Sequence, residues 1–93
     1  PALSRKWKQI NKFIEVFAAA LKNSSLDKSD TVRVADFGSG KGYLTFAMYD
    51  WLRMQGKTAH VTGIELRTDM VALCNGSALR HGLHGLAFEQ GDL

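Results

Sequence analysis

One stretch, from Val32 to Phe46, limits the fold of this chain more than any other part of it. An apolar, β-branched run ends at Asp36, and glycines then occupy positions 38, 40 and 42. An apolar helical pattern follows at once. Glycine permits positive φ and lets a ligand approach the backbone without a Cβ in the way. The stretch therefore predicts a strand that turns sharply into a helix, with a ligand-binding loop at the turn.

The segments around this loop alternate between helical and strand patterns. Strands are predicted at 31–37, 60–66 and 86–90, and helices at about 4–21, 42–55 and 68–80, with a polar linker over 23–30. Strands that alternate with helices indicate parallel strands in a layered fold. The predicted fold class is α/β, a partial Rossmann-like parallel sheet of about three strands with flanking helices, in the order α-β-α-β-α-β.

Local signals predict the ends and faces of the helices. Ser4 and Thr68 are expected to cap the first and third helices, and Gly56 to end the second. The second helix is apolar nearly all round, which indicates burial on more than one side. The first helix is the candidate for part of that cover. The buried face of the third helix is predicted to contain Val71, Cys74, Ala78 and Leu79.

Composition and charge exclude several classes of protein. The 93 residues fit one small domain, and an apolar fraction of 45% is enough for a core. No apolar run approaches the roughly 20 residues that span a bilayer, and a net charge of +3 does not by itself indicate a polyanionic partner. Cys74 is the only cysteine, which favours a reducing, cytoplasmic compartment. A start at Pro1 and an end directly after a strand pattern predict an excerpt of a longer chain.

The spacing of the glycines distinguishes between ligands of the loop. A P-loop requires glycine where Ala35 stands and serine or threonine where Gly42 stands, so that motif is absent. The dinucleotide fingerprint requires a third glycine at the position of Tyr43 and is broken there, which leaves only a generous variant of it open. What fits is Asp-x-Gly-x-Gly-x-Gly, from Asp36 to Gly42.

This pattern resembles motif I of the class I S-adenosylmethionine-dependent methyltransferases. Glu65 closes the second strand, where the family's acidic residue hydrogen-bonds both ribose hydroxyls. Gly91-Asp92-Leu93 follows the third strand, where a family acid and the next backbone N–H contact the adenine edge. The chain is similar to the cofactor-binding half of a bacterial methyltransferase domain over nearly all of its length. The resemblance implies one partial domain over 1–93, with the helix and linker in 1–30 and the cofactor-binding βαβαβ unit in 31–93.

The resemblance also implies a set of residues that bind S-adenosylmethionine: Asp36, Gly38, Ser39, Gly40, Gly42, Glu65, Leu66, Asp92 and Leu93. In that reading Asp36 faces the ammonium group of the cofactor, and the glycine loop approaches its methionine part. Each acid also has a plainer interpretation. Asp36 could cap the loop N–H groups, Glu65 could be a surface acid at a strand end, and Asp92 could belong to a polar turn.

The function predicted from the resemblance is S-adenosylmethionine binding and methyl transfer to an unidentified acceptor, as part of a longer chain. The residues that select and activate the acceptor are expected beyond Leu93, so the chain alone is expected to be inactive. The alternatives are a nicotinamide-dinucleotide-binding half of an oxidoreductase and a non-catalytic interaction domain. RNA stays open as the acceptor because the first helix has a basic face, although no aromatic is interleaved there.

Further expectations concern metals, membranes and partners. No metal site is expected, because His81 and His84, which flank Gly82, are two histidines without further ligands, and Cys74 is expected in the core rather than as a nucleophile. No membrane partner is expected. In the family sheet the first strand is central, so without a fourth strand it has an unpaired edge. That edge leads us to expect a homodimer, formed by pairing these strands across a two-fold axis.

Overall fold

The structure, a computed structural model, describes residues 2–92 of the chain. In chain order its elements are α1 (Ala2–Lys22), a 3-10 helix (Ser25–Lys28), β1 (Thr31–Phe37), α2 (Tyr43–Met54), β2 (Thr58–Glu65), α3 (Thr68–Arg80) and β3 (Leu86–Gln90). The bounds of β1 and β3 are those predicted. β2 begins and ends slightly earlier than its alternating pattern indicated.

The three strands form one parallel sheet in the order β1-β2-β3. β1 pairs with β2 along its whole length, from Thr31 opposite Thr58 to Phe37 opposite Ile64. β2 also pairs with β3, beginning with Val61 opposite Leu86. β1 therefore lies at one edge of the sheet and β3 at the other. This parallel sheet with its connecting helices confirms the predicted α/β fold class.

The core lies between one face of the sheet and the helices. Alternate strand residues point into it, because successive side chains of a strand lie on opposite faces. Together with residues of all three helices they form one buried cluster: Leu21, Val32, Tyr49, Leu52, Ala59, Val61, Cys74, Ala78, Leu86 and Phe88. As predicted, α1 covers part of α2, with the Phe17 ring edge-on to the Trp51 ring at 5.9 Å between centroids.

Three local predictions about the helices are wrong. α1 begins before Ser4, which lies inside the first turn rather than at the N-cap. Arg67, in an extended conformation, is the N-cap of α3, so Thr68 is the first helical residue. Leu79 is 83% exposed, because each helical residue is rotated about 100° from the last and Ala78 already faces the sheet.

Lys57, at the amino end of β2, fastens the linker that precedes β1 to the sheet. The linker contains a 3-10 turn capped by the hydroxyl of Ser24, where no regular structure was predicted. Lys57 Nζ donates hydrogen bonds to three carbonyl oxygens of this linker, those of Ser29 (2.7 Å), Asp27 (2.8 Å) and Leu26 (3.4 Å). Lys57 follows Gly56, whose φ of +79° ends α2 in the left-handed region as predicted. All three protons of the ammonium are therefore engaged.

The outer edge of β3 is bonded by a side chain of α3. Asn75 Nδ2 donates to the Phe88 carbonyl oxygen, and the Phe88 N–H donates to Asn75 Oδ1, both at 2.8 Å. A neighbouring strand would use the same two backbone groups of Phe88. The Asn75 amide thereby holds α3 against β3.

Candidate functional site

The glycine loop, residues 38–42, lies at the carboxyl ends of β1 and β2. Gly38, Gly40 and Gly42 have φ of +74°, +57° and +84°, a region that residues with a Cβ rarely adopt. The N–H groups of Gly38 and Ser39 donate to the Ile64 carbonyl oxygen at 2.7 and 3.1 Å. The loop is thus folded back across the end of β2.

Gly42 is the N-cap of α2 and packs closely against the core. A Cβ at Gly42 would lie 3.1 Å from Cys74 Sγ and 3.2 Å from the Phe46 ring. Cys74 Sγ in turn donates to the Lys41 carbonyl oxygen at 3.4 Å, and burial raises the pKa of this thiol. Cys74 is therefore a buried, protonated thiol beneath the loop. The N–H groups of the first turn of α2, which have no partner within the helix, lie at the same edge.

Glu65, the last residue of β2, holds the loop through its carboxylate. Oε1 accepts a hydrogen bond from the Gly40 N–H at 2.9 Å. Oε2 accepts from the side-chain Nε and the backbone N–H of Arg67, at 2.8 and 2.9 Å. These Arg67 bonds, the side-chain bond most of all, lower the pKa of Glu65 from 4.5 to about 2. Since only 7% of Glu65 is exposed, it is a buried, ionised acid, which does not fit the interpretation as a surface acid.

Arg67 covers this carboxylate from the solvent side. More than half of its side chain is exposed, and its Nη2 lies 3.7 Å from where a Cβ on Gly40 would stand. Arg67 therefore lies against the glycine loop as well as against Glu65. The sequence did not identify it, because an arginine two residues after a strand-end acid is not a specific signal.

Asp36 lies near the end of β1 and is bonded to α2. Its Oδ2 accepts a hydrogen bond from Thr45 Oγ1 at 2.7 Å, and Thr45 is fully buried. Asp36 does not cap the N–H groups of Gly38 and Ser39, which bond to Ile64 instead. Among residues 2–92, Ser39 Oγ is buried without a hydrogen-bond partner. The Ser39 N–H donates to the Ile64 carbonyl oxygen and the Ser39 carbonyl oxygen accepts from the Gly42 N–H, so both backbone groups of Ser39 are already engaged.

The end of β3 reaches the same edge of the sheet. The Gly91 N–H donates to the Glu65 carbonyl oxygen at 3.1 Å, and the exposed Asp92 follows it. Leu66, next to Glu65, is also mostly exposed. The remaining predicted site residue, Leu93, lies outside the described residues. The structure thus brings the ends of all three strands together, with Gly40 and Glu65 in direct contact.

This edge combines two carboxylates with a row of backbone donors. Asp36 and Glu65 favour a ligand that has a positive charge or paired hydroxyls, whereas the N-terminus of α2 favours a carboxylate. Within residues 2–92, no cluster of three or more His, Cys, Asp or Glu side chains is placed to hold a metal ion. In the same part of the chain, no helix has the length and apolarity needed to cross a membrane.

Comparison with known proteins gives a family match and a group of similar folds. Residues 5–93 match the family model described as "Methyltransferase domain". A search of curated proteins gave no match. Among solved structures, the fold is similar to that of the YcgJ protein from Bacillus subtilis, with 24% identity and a TM-score of 0.54 over 67% of this chain.

Two further solved structures share this fold. Coclaurine N-methyltransferase, bound to N-methylheliamine and SAH, has 16% identity and a TM-score of 0.65 over 89% of this chain. The CMeT domain of citrinin polyketide synthase has 21% identity and a TM-score of 0.54 over 67% of it. The matched part spans 24%, 22% and 16% of the three proteins, in the order given. At these identities the likeness is one of fold, and it agrees with a partial Rossmann-like sheet.

Proposed function

The chain belongs to the methyltransferase-domain family, and we propose that it binds S-adenosylmethionine at the carboxyl ends of β1 and β2, as the cofactor-binding part of a methyl-transferring enzyme. The SAH bound to one protein of similar fold supports this choice of cofactor. The site's own chemistry supports it independently, through the two acids and the glycine loop.

The observation that carries the proposal is the state of Glu65. A carboxylate has about four acceptor positions, and the bonds from Gly40 and Arg67 use three of those on Glu65. One position on Oε1 is left for a hydroxyl of a ribose. A ribose diol needs a second, which becomes available when the exposed Arg67 side chain leaves Oε2. The two backbone bonds to Glu65 can stay in place throughout.

The loop and Asp36 suit the methionine part of the cofactor. The Thr45 hydroxyl holds the Asp36 carboxylate in one orientation, where its negative charge suits an ammonium group. The N–H groups at the start of α2 suit a carboxylate. The glycines at 38 and 40 leave the backbone open to close approach, whereas Gly42 packs against the core. The donors and acceptors of this edge therefore match both ends of an amino acid.

S-adenosylmethionine, when bound, supplies a methyl group activated by a positive sulfonium. The residues of this chain contribute binding and orientation, which in-line displacement requires. We also propose RNA as the acceptor class, on the basis of the exposed basic residues Arg5, Lys8 and Lys12 of α1. A cytoplasmic location completes the proposal, because the lone cysteine suits a reducing compartment.

Isothermal titration calorimetry of the chain with S-adenosylmethionine, S-adenosylhomocysteine and NAD tests the cofactor. Glu65→Gln keeps the shape of the side chain and removes its charge, and Glu15→Gln is the matched control at an exposed helix position. We expect both adenosyl compounds to bind, and Glu65→Gln to weaken each about 10- to 100-fold, since a bond to a charged group is lost. Glu15→Gln should change neither. Preferential NAD binding, or equal affinity in the two variants, would overturn the proposal.

A further inference from the structure

Helix α2 forms the floor of an apolar groove whose walls are α1 and α3. The groove has a volume of about 730 Å³. We call it the helix groove and define it by Leu3 and Trp7 on α1, Phe46 and Met54 on α2, and Leu73 on α3. Neither Asp36 nor Glu65 lines the helix groove.

The floor and the walls of the helix groove are open to solvent. Leu3, Trp7, Met54 and Leu73 are 59–74% exposed, although all four are large and apolar. A small-molecule pocket buries most of the surface of its ligand, which walls this open cannot do. An exposed apolar patch of this kind is typical of a surface that binds another macromolecule. An apolar groove lined by helices is a recurring binding surface for an amphipathic helix.

Charges at the two ends of the helix groove select among such helices. At one end are Lys41 and Lys6, whose Nζ lies 4.1 Å from the centre of the Tyr43 ring at the start of α2. At the other end is Arg80, the last residue of α3. Asp50 is the one acid lining the groove and lies between them. Within residues 2–92, none of the three cations forms an ion pair.

We propose that the helix groove binds an amphipathic helix of a partner protein, with acidic residues at both ends and a basic residue near its middle. The floor, α2, has 12 residues and is therefore about 18 Å long. The bound segment needs about three turns to reach from Lys6 to Arg80. Its apolar stripe would cover Trp7, Met54 and Leu73. Its acidic ends would face the cations at the two ends of the groove, and its central basic residue would face the acid between them.

Two other occupants fit the helix groove less well. A second copy of this chain offers no helix of the required pattern, because each of its helices contains one acid: Glu15 in α1, Asp50 in α2 and Asp69 in α3. A lipid surface is flat on this scale and cannot reach a floor that lies between two helices. The proposal does not depend on the proposed cofactor, since Lys41 is the one residue of the glycine loop that lines the helix groove, and neither Asp36 nor Glu65 does.

Fluorescence anisotropy with a labelled, designed helix tests the proposal. The probe is an amphipathic peptide of four turns with a leucine stripe, glutamates at both ends and one central lysine. The control peptide has the same stripe, with lysines at the ends and a central glutamate. We expect saturable binding of the probe and at least tenfold weaker binding of the control. Leu73→Glu places a charge in the wall at an exposed position and should weaken probe binding more than tenfold, while circular dichroism confirms an unchanged fold.

A charge exchange separates groove binding from general attraction to a basic chain. Arg80→Glu should weaken the probe about two- to fivefold, as expected for an exposed pair, and strengthen the control peptide by a similar factor. Lys8→Glu, on the solvent side of α1, is the matched control and should change neither. Equal effects of Arg80→Glu and Lys8→Glu overturn the proposal. The proposal is also overturned if the probe does not bind and the chain instead forms a dimer in sedimentation that Leu73→Glu abolishes. The same holds if the probe does not bind and the chain binds vesicles of anionic phosphatidylglycerol in a way that Leu73→Glu abolishes.

Discussion

Two charged side chains at opposite ends of β2 each fasten a loop to the sheet, and they do so in opposite ways. Lys57, just before β2, donates to three carbonyl oxygens of the linker. Glu65, the last residue of β2, accepts from the glycine loop and from Arg67. Around both charges, polar groups of the protein take the place of water. At one end of β2 a cation thus holds a loop by donating hydrogen bonds, and at the other end a carboxylate holds a loop by accepting them.

The two side chains differ in the hydrogen-bonding capacity that remains for a ligand. Every proton of Lys57 is directed at a backbone carbonyl, so none is left for a ligand while the 3-10 turn stays folded. Glu65 keeps an acceptor position and has one partner, the Arg67 side chain, that is exposed. A charge that is saturated by backbone stabilises the fold, whereas one that is partly satisfied by an exposed side chain can bind.

Two glycines, Gly42 in the glycine loop and Gly56 next to Lys57, should give the largest contrast in stability. Gly42→Ala combines a positive φ with close contact to Cys74 and Phe46, so we expect a loss of about 2–5 kcal/mol in the free energy of unfolding. Gly56→Ala has a similar φ but an empty surrounding, and should lose about 1–2 kcal/mol. Urea denaturation measures both. Equal losses would show that packing beneath the glycine loop contributes nothing.

Removing the charge of Lys57 should separate stability from binding. Lys57→Met leaves the linker carbonyls without their donor, and we expect a loss of about 1–3 kcal/mol in the free energy of unfolding. Affinity for S-adenosylmethionine should not change. Lys28→Met, in the same linker but exposed, is the control and should leave the thermal midpoint within the error of measurement. A loss of cofactor affinity in Lys57→Met would break the contrast between the two ends of β2.

Of the two ends of β2, only the Glu65 end should respond to acid. The pKa of Glu65 is about 2 in the folded chain and 4.5 ordinarily, so its ionised form favours folding. This contribution is complete above pH 4.5 and is lost as the pH falls towards 2. In that window we expect Glu65→Gln to flatten the fall of unfolding free energy with pH, and Lys57→Met to leave it unchanged. Chemical denaturation at a series of pH values checks this, and parallel curves for the parent and Glu65→Gln would contradict it.

Strands could be predicted more closely than helix ends. β1 and β3 are short apolar runs bounded by turn residues, so pattern alone fixes their limits. The caps predicted at Ser4 and Thr68 were wrong because each of these residues lies inside its helix and not before it. At α3, the Arg67 N–H is drawn to Glu65 and fixes the start of the helix.

The candidate site could be located from sequence, but its internal bonds could not. The glycine spacing identifies Gly40, and the position at the end of a strand identifies Glu65, because each of these signals lies in the neighbouring sequence. Their contact joins positions 25 residues apart, and no local pattern encodes such a pair. Thr45 and Arg67 were missed for the same reason, since the importance of each lies in the acid that it touches. The cofactor roles of the predicted residues stay predictions, to be decided by titration.

The bonds between Asn75 and Phe88 give the sheet a direction in which it can grow. At β3, the outward backbone groups of Phe88 are already occupied by the Asn75 amide. β1, by contrast, has β2 as its one neighbouring strand in the described part of the chain. A further strand, from this chain or another, can therefore extend the sheet beyond β1, whereas at β3 it would first have to displace the asparagine.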